Sequence, residues 1–144
     1  MKTKFTSLVT VKKNSMQKSE RIVQSANATL NSASVALEIA IKSLDNIDTP
    51  QSGSMTDFLA SRSLLDTTRA SIKHNQEWLE YATTQLKAAK EQLKFDMIEY
   101  EKFKYLDLQE IKKKLKELKI QEAKELDEVA LITHTRKNNQ KKAS

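Results

Sequence analysis

From Phe5 to Ile47 the apolar residues recur at alternating intervals of three and four. Val9, Met16, Val23, Leu30, Leu37 and Leu44 share one heptad position, a. Phe5, Ala26, Ala33, Ala40 and Ile47 share the other, d, where Lys12 and Ser19 are the polar exceptions. A repeat of 3.5 residues sustained over this length is the seam of a coiled coil, and it predicts a helix over about 3–47. A second repeat follows. Phe58, Leu65, Ile72, Leu79, Leu86, Leu93 and Tyr100 recur every seventh residue, and their companion position reads Ser61, Thr68, Asn75, Ala82, Ala89, Asp96 and Phe103. No breaker interrupts this stretch, so a helix is predicted over about 57–132. Between the two lies Asp48-Thr49-Pro50-Gln51-Ser52-Gly53-Ser54. Pro50 forces Thr49 out of the helical region, which predicts a turn over 48–56. Ser54 with Asp57 has the spacing of a capping box, with Asp in place of Glu.

The two seams complement each other. In an antiparallel pair an a residue packs across from a d residue. If facing residue numbers sum to about 105, Ala26 meets Leu79, Ala33 meets Ile72, Ala40 meets Leu65, Ile47 meets Phe58 and Phe5 meets Tyr100. Nearly every layer then sets a large side chain against a small one, as close packing requires. The expected fold is all-α, a single domain over 1–144 forming a long two-helix antiparallel coiled-coil hairpin with a longer second helix. The first helix is roughly 65–70 Å long at 1.5 Å per residue, and the second overhangs it by roughly 40 Å from Tyr105 to Ile132. The polar, basic residues 133–144 read as a disordered tail.

Composition supports two long elements. The chain of 144 residues has one glycine and one proline, both in the turn, and 31% charged residues. It has no cysteine, which excludes disulfides and thiolate metal sites. The basic start, Met1-Lys2-Thr3-Lys4-Phe5, lacks the apolar run of a signal peptide, and no stretch is apolar enough to span a membrane. The net charge of +6 gathers at the ends. Residues 1–47 carry seven basic and three acidic side chains, and residues 101–144 twelve and eight. An acidic partner near the open end of the hairpin is the expectation, with nucleic acid or anionic lipid as alternatives.

The overhang carries Leu106, Leu108, Ile111, Leu115, Leu118, Ile120, Leu126, Val129, Leu131 and Ile132. A merely solvated face needs no such set, so a binding surface for another protein is expected; a homodimer or a folded-back terminus are the alternatives. His74, Trp78 and Tyr81, at i, i+4 and i+7, form an aromatic stripe in the turn half, although Trp78 flanks the seam and also fits a widened core. Phe95, Ile98 and Tyr105 form a second stripe. Nothing suggests catalysis. His74 and His134 lack metal-ligand spacing, there is no phosphate loop, and a two-helix rod has no concave pocket. The run Lys112-Lys113-Lys114-Leu115-Lys116 is followed by Glu117, Glu122, Glu125, Asp127 and Glu128. That mixture reads as a salt-bridged face, against nucleic-acid binding.

Phe5 and Leu8 at the head of helix one, Glu101-Lys102-Phe103-Lys104 leading into a Lys/Glu/Leu-rich stretch, and Glu125-Leu126-Asp127-Glu128-Val129-Ala130 near the end together resemble the FliJ family of flagellar export proteins. The resemblance implies a cytoplasmic, non-enzymatic central stalk of the type III export apparatus, peripherally associated at the inner membrane and working without cofactor. It implies a hexameric export ATPase as partner through the terminal half, an export-gate membrane protein as a second, and export chaperones as further candidates. On this reading Leu108, Ile111, Leu115, Leu118, Leu126 and Val129 face the ATPase, and His74, Trp78 and Tyr81 face the gate. The alternatives are a stand-alone coiled-coil adaptor or scaffold, and the equivalent stalk of a virulence-type secretion system.

Overall fold

In the computed structural model, which describes residues 1–143, two helices make up nearly the whole chain. α1 runs Thr6–Asp45 and α2 runs Met55–Ala143. Each begins at a box of reciprocal hydrogen bonds. At α2 the Asp57 N–H donates to Ser54 Oγ (3.3 Å) while the Ser54 N–H donates to Asp57 Oδ2 (3.3 Å). The expected capping box is therefore present. At α1 the Phe5 N–H donates to Thr3 Oγ1 (3.1 Å) and the Thr3 N–H donates to Thr6 Oγ1 (2.8 Å). This second box uses threonine at both positions and went unread in the sequence. α1 ends where the Ile47 N–H bonds the Leu44 carbonyl at 3.3 Å, a tightened last turn ahead of Pro50. Gly53 then takes φ +145°, a conformation that L side chains rarely adopt, and leads into the Ser54 cap.

The chain separates into two compact units. One comprises Lys13–Ile98: most of α1, the connecting loop and the first half of α2. The other comprises Met1–Lys12 with α2 from Glu99 onward. The expectation was one undivided coiled-coil domain.

Within Lys13–Ile98 the helices pack antiparallel along the expected seams. The most occluded residues are small: Ala33 is 0% exposed, Ala82 1% and Ser19 4%, with Ala40, Leu86 and Ala89 close behind. Leu30, Leu37, Leu44, Leu65, Ile72, Leu79 and Leu93 are half-buried. This gradation follows from two cylinders touching along a line. A short side chain at the line of contact is readily enclosed; most leucines there, Leu86 apart, keep one flank in water. Burial is therefore incomplete, and each seam leucine gains less than the roughly 1.5–3 kcal/mol of full burial.

The register differs from the expected one. Ser19 Oγ donates to the carboxylate of Asp96, and Ile47 shares a groove with Leu65 as well as with Phe58. Ala26 and Thr29 lie beside Ala82 and Gln85; Ala36 and Ala40 lie beside Ser71 and Asn75. In the other unit Phe5 packs on Phe103 (centroids 6.5 Å apart) rather than on Tyr100, and Lys12 pairs with Glu99 at 3.4 Å. Each contact is displaced along α2 in the same direction, and a shift of about one heptad accounts for the set. It brings Ala33 opposite Leu79, Ala40 opposite Ile72 and Leu30 opposite Ala82, so large still meets small. The expected pairs Ala26–Leu79 and Ala33–Ile72 are replaced accordingly. The cause lies in the connection. Residues 46–54 carry no helix, so they advance past the first turns of α2 instead of folding symmetrically about a tight turn. Phe58 lines the same groove as Ile47 and Thr49 of the connecting loop and is 40% exposed.

The tail also differs. α2 continues through Ala143 where disorder was expected from 133, and Ser144 lies outside the described residues. No glycine or proline follows Gly53 to stop the helix. The hydroxyls of Thr133 and Thr135 donate to the carbonyls of Val129 and Leu131 (both 2.9 Å), and Asn138 bonds His134 at 3.2 Å. The turn of helix thus satisfies its own polar side chains.

Candidate partner-binding surfaces

In the unit formed by Met1–Lys12 and α2 from Glu99, the chain start seals part of the second helix. Thr3 Oγ1 donates to Asp107, Thr6 Oγ1 reaches the same carboxylate at 3.2 Å, and Lys114 Nζ donates to the Lys2 carbonyl at 3.2 Å. Thr3 and Thr6 therefore cap α1 and clamp it to α2 with the same two hydroxyls. Lys4 and Lys12 lie over the rings of Phe5 and Phe103, at 5.3 and 5.4 Å. As a result α2 is partly covered as far as Lys114, about nine residues beyond the expected start of the overhang. Leu106 and Ile111 are half-buried; from Leu115 to Lys141 every residue is exposed.

Leu126 is 70% exposed and Val129 60%; Leu108, Leu115 and Leu118 are a little under half exposed. At 100° per residue these five and Ile111 fall within an arc of about 80° on α2. One polar residue, Glu122, interrupts the row between Leu118 and Leu126. This arc is not the hairpin seam extended. The seam positions run on as Asp107, Glu110, Lys114, Glu117, Gln121 and Lys124, all polar. The apolar face lies roughly a quarter turn away from them. The sequence carried this signal as a one-residue phase change after Phe103, and heptad counting alone passed over it.

In the unit Lys13–Ile98, His74, Trp78 and Tyr81 line one shallow depression together with Glu77. Tyr81 is 61% exposed and His74 is exposed, while Trp78, next in sequence to the seam residue Leu79, is half-buried. The stripe is thus brought together, and Trp78 serves both as seam edge and as surface. Phe95 and Ile98 are exposed in this unit, and Tyr105 in the other. A third depression is basic, with Lys87, Lys90 and Lys94 around Thr83 and Leu86.

Among the described residues no cluster of His, Cys, Asp and Glu fit to hold a metal ion is present, and no helix is long and apolar enough to cross a membrane. The profile of the family described as "Flagellar FliJ protein" matches residues 1–139. Comparison with curated proteins and with solved structures gave no match. With nearly the full length matched, the chain belongs to the FliJ family and is a component of the flagellar export apparatus.

Proposed function

We propose that the chain is the non-enzymatic central stalk of the export apparatus and that its exposed α2 end docks into the hexameric export ATPase. The observation that carries this reading is the uncovered apolar arc of Leu108, Leu115, Leu118, Leu126 and Val129 on a helix that no other part of the described chain accompanies beyond Lys114. Each such side chain gains roughly 1.5–3 kcal/mol on full burial, so the arc favours a partner that encloses a single helix. A ring of subunits around a central channel has that form. Arg136 and Lys137, on the same helix, favour an acidic rim. The stripe His74, Trp78 and Tyr81 is the contact for the export-gate protein, since exposed aromatics dominate protein interfaces.

Replacing Leu126 and Val129 with Asp tests the docking element. Both are well exposed, so the hairpin keeps its helicity by circular dichroism while co-purification with the export ATPase is lost. Retained co-purification removes the arc from the interface. The stand-alone scaffold reading is favoured instead by a wild-type chain that neither binds the ATPase nor changes its rate of ATP hydrolysis.

A further inference from the structure

The heptad repeat that builds the seam does not by itself fix which heptad of α1 meets which heptad of α2. A one-heptad shift, which the contacts of Ser19, Ala26 and Ala40 support, sets Ala33 opposite Leu79 and Leu30 opposite Ala82. Withdrawing α1 by one heptad sets Ala33 opposite Ile72 and Leu30 opposite Asn75. Both arrangements keep a small residue against a large one in most layers, so packing discriminates weakly between them. The loop over residues 46–54 carries no helix or strand and supplies the slack for the movement.

What separates the two registers is a set of polar contacts. Ser19, 4% exposed, donates to Asp96, whose other oxygen accepts from Gln92 at 3.2 Å. Lys12 pairs with Glu99 at 3.4 Å, and Thr3 and Thr6 share Asp107. Withdrawal breaks each of these and brings Val9 opposite the half-buried Asp96 carboxylate. A polar residue at one seam position is the usual way in which a coiled coil selects one register from several.

We propose that the hairpin has a second register one heptad away, and that the Ser19–Asp96 bond, with the Thr3–Thr6–Asp107 clamp, is the lock that holds the observed one. In the second register the chain start leaves Lys114 and Asp107, and Ile111 joins Leu108 and Leu115 on the open face. A partner that binds this face draws the hairpin toward the withdrawn register, because it gains one more apolar side chain there. The slide is a property of the isolated chain. Only its consequence for docking rests on the function proposed above.

The chain has no cysteine, so two spin labels go only where they are placed. Asn31→Cys and Lys90→Cys put labels at exposed sites on the two helices. Withdrawal by one heptad lengthens their axial separation by roughly 10 Å, which pulsed electron–electron double resonance resolves. The full-length chain with the lock intact gives one distance. Ser19→Ala places in the seam a residue that already fills Ala26, Ala33 and Ala40, so the fold is kept. In this variant a second distance, longer by roughly 10 Å, rises to about a tenth of the molecules or more, and more again in Asp96→Ala. Circular dichroism confirms helicity in each. A single unchanged distance in both folded variants overturns the proposal.

Discussion

Alanine decides how closely the two helices approach, and Ala33 is the most enclosed of the described residues, with no exposed surface. Ala33→Leu adds three carbons where there is no room, and destabilisation of about 1–3 kcal/mol in urea unfolding is expected. A change within about 0.5 kcal/mol, the usual range at open surface sites, would show that the seam has slack at this layer. Gly53 is constrained differently. At φ +145° an added Cβ would lie 2.9 Å from Asp57 Oδ2, in the capping box itself. Gly53→Ala should therefore cost about 1–3 kcal/mol, and a Tm equal to wild type would contradict the strain. At this scale much was legible. Apart from Phe58, the a and d residues read from the sequence are the residues that the structure buries or half-buries, because a period of seven is a strong signal over this many repeats. Ser54 and Asp57 were legible as a cap because the motif is local. The clamp of Thr3 and Thr6 on Asp107 was not, since it joins residues distant in sequence through short polar side chains that no period marks.

At the scale of elements, the sequence specified two helices and one loop, and missed how far each part reaches. Register depends on the path of residues 46–54, and a loop without periodicity carries no information about its path. The symmetric turn assumed from Pro50 and Gly53 therefore set the pairing one heptad out. The end of α2 was misjudged for a related reason. Polarity from His134 onward was read as disorder, but polarity does not stop a helix when glycine and proline are absent. The structure instead divides α2 at Lys114: partly covered before, exposed after. Truncation after Lys114 should leave the thermal midpoint within about 2–4 °C of wild type while total helical signal falls, because the residues from Leu115 to Lys141 are all exposed. Truncation after Lys102 should lower the midpoint clearly, because it removes Phe103 from Phe5 and Asp107 from the Thr3–Thr6 clamp. Equal midpoints for the two truncations would mean that the chain start contributes nothing to stability.

At the scale of the molecule, the proposed partners bind different surfaces, so their losses should separate. Trp78→Ala with Tyr81→Ala should weaken binding to the export-gate protein and leave stimulation of the ATPase intact. Loss of both activities together would indicate a damaged hairpin, since Trp78 also packs at the seam edge. The ATPase interaction should weaken as salt rises, because Arg136 and Lys137 stand on the docking helix. The apolar arc was legible as a surplus of aliphatics beyond the reach of α1. Its rotation away from the seam was not, because counting sevens hides a change of phase by one residue. The most direct test of the central claim is the rate of ATP hydrolysis by the purified export ATPase with the chain truncated after Lys114. The truncated chain keeps its hairpin and lacks the exposed α2 end, so it should give no stimulation at concentrations where the full chain saturates. Stimulation equal to that of the full chain would contradict docking through the α2 end.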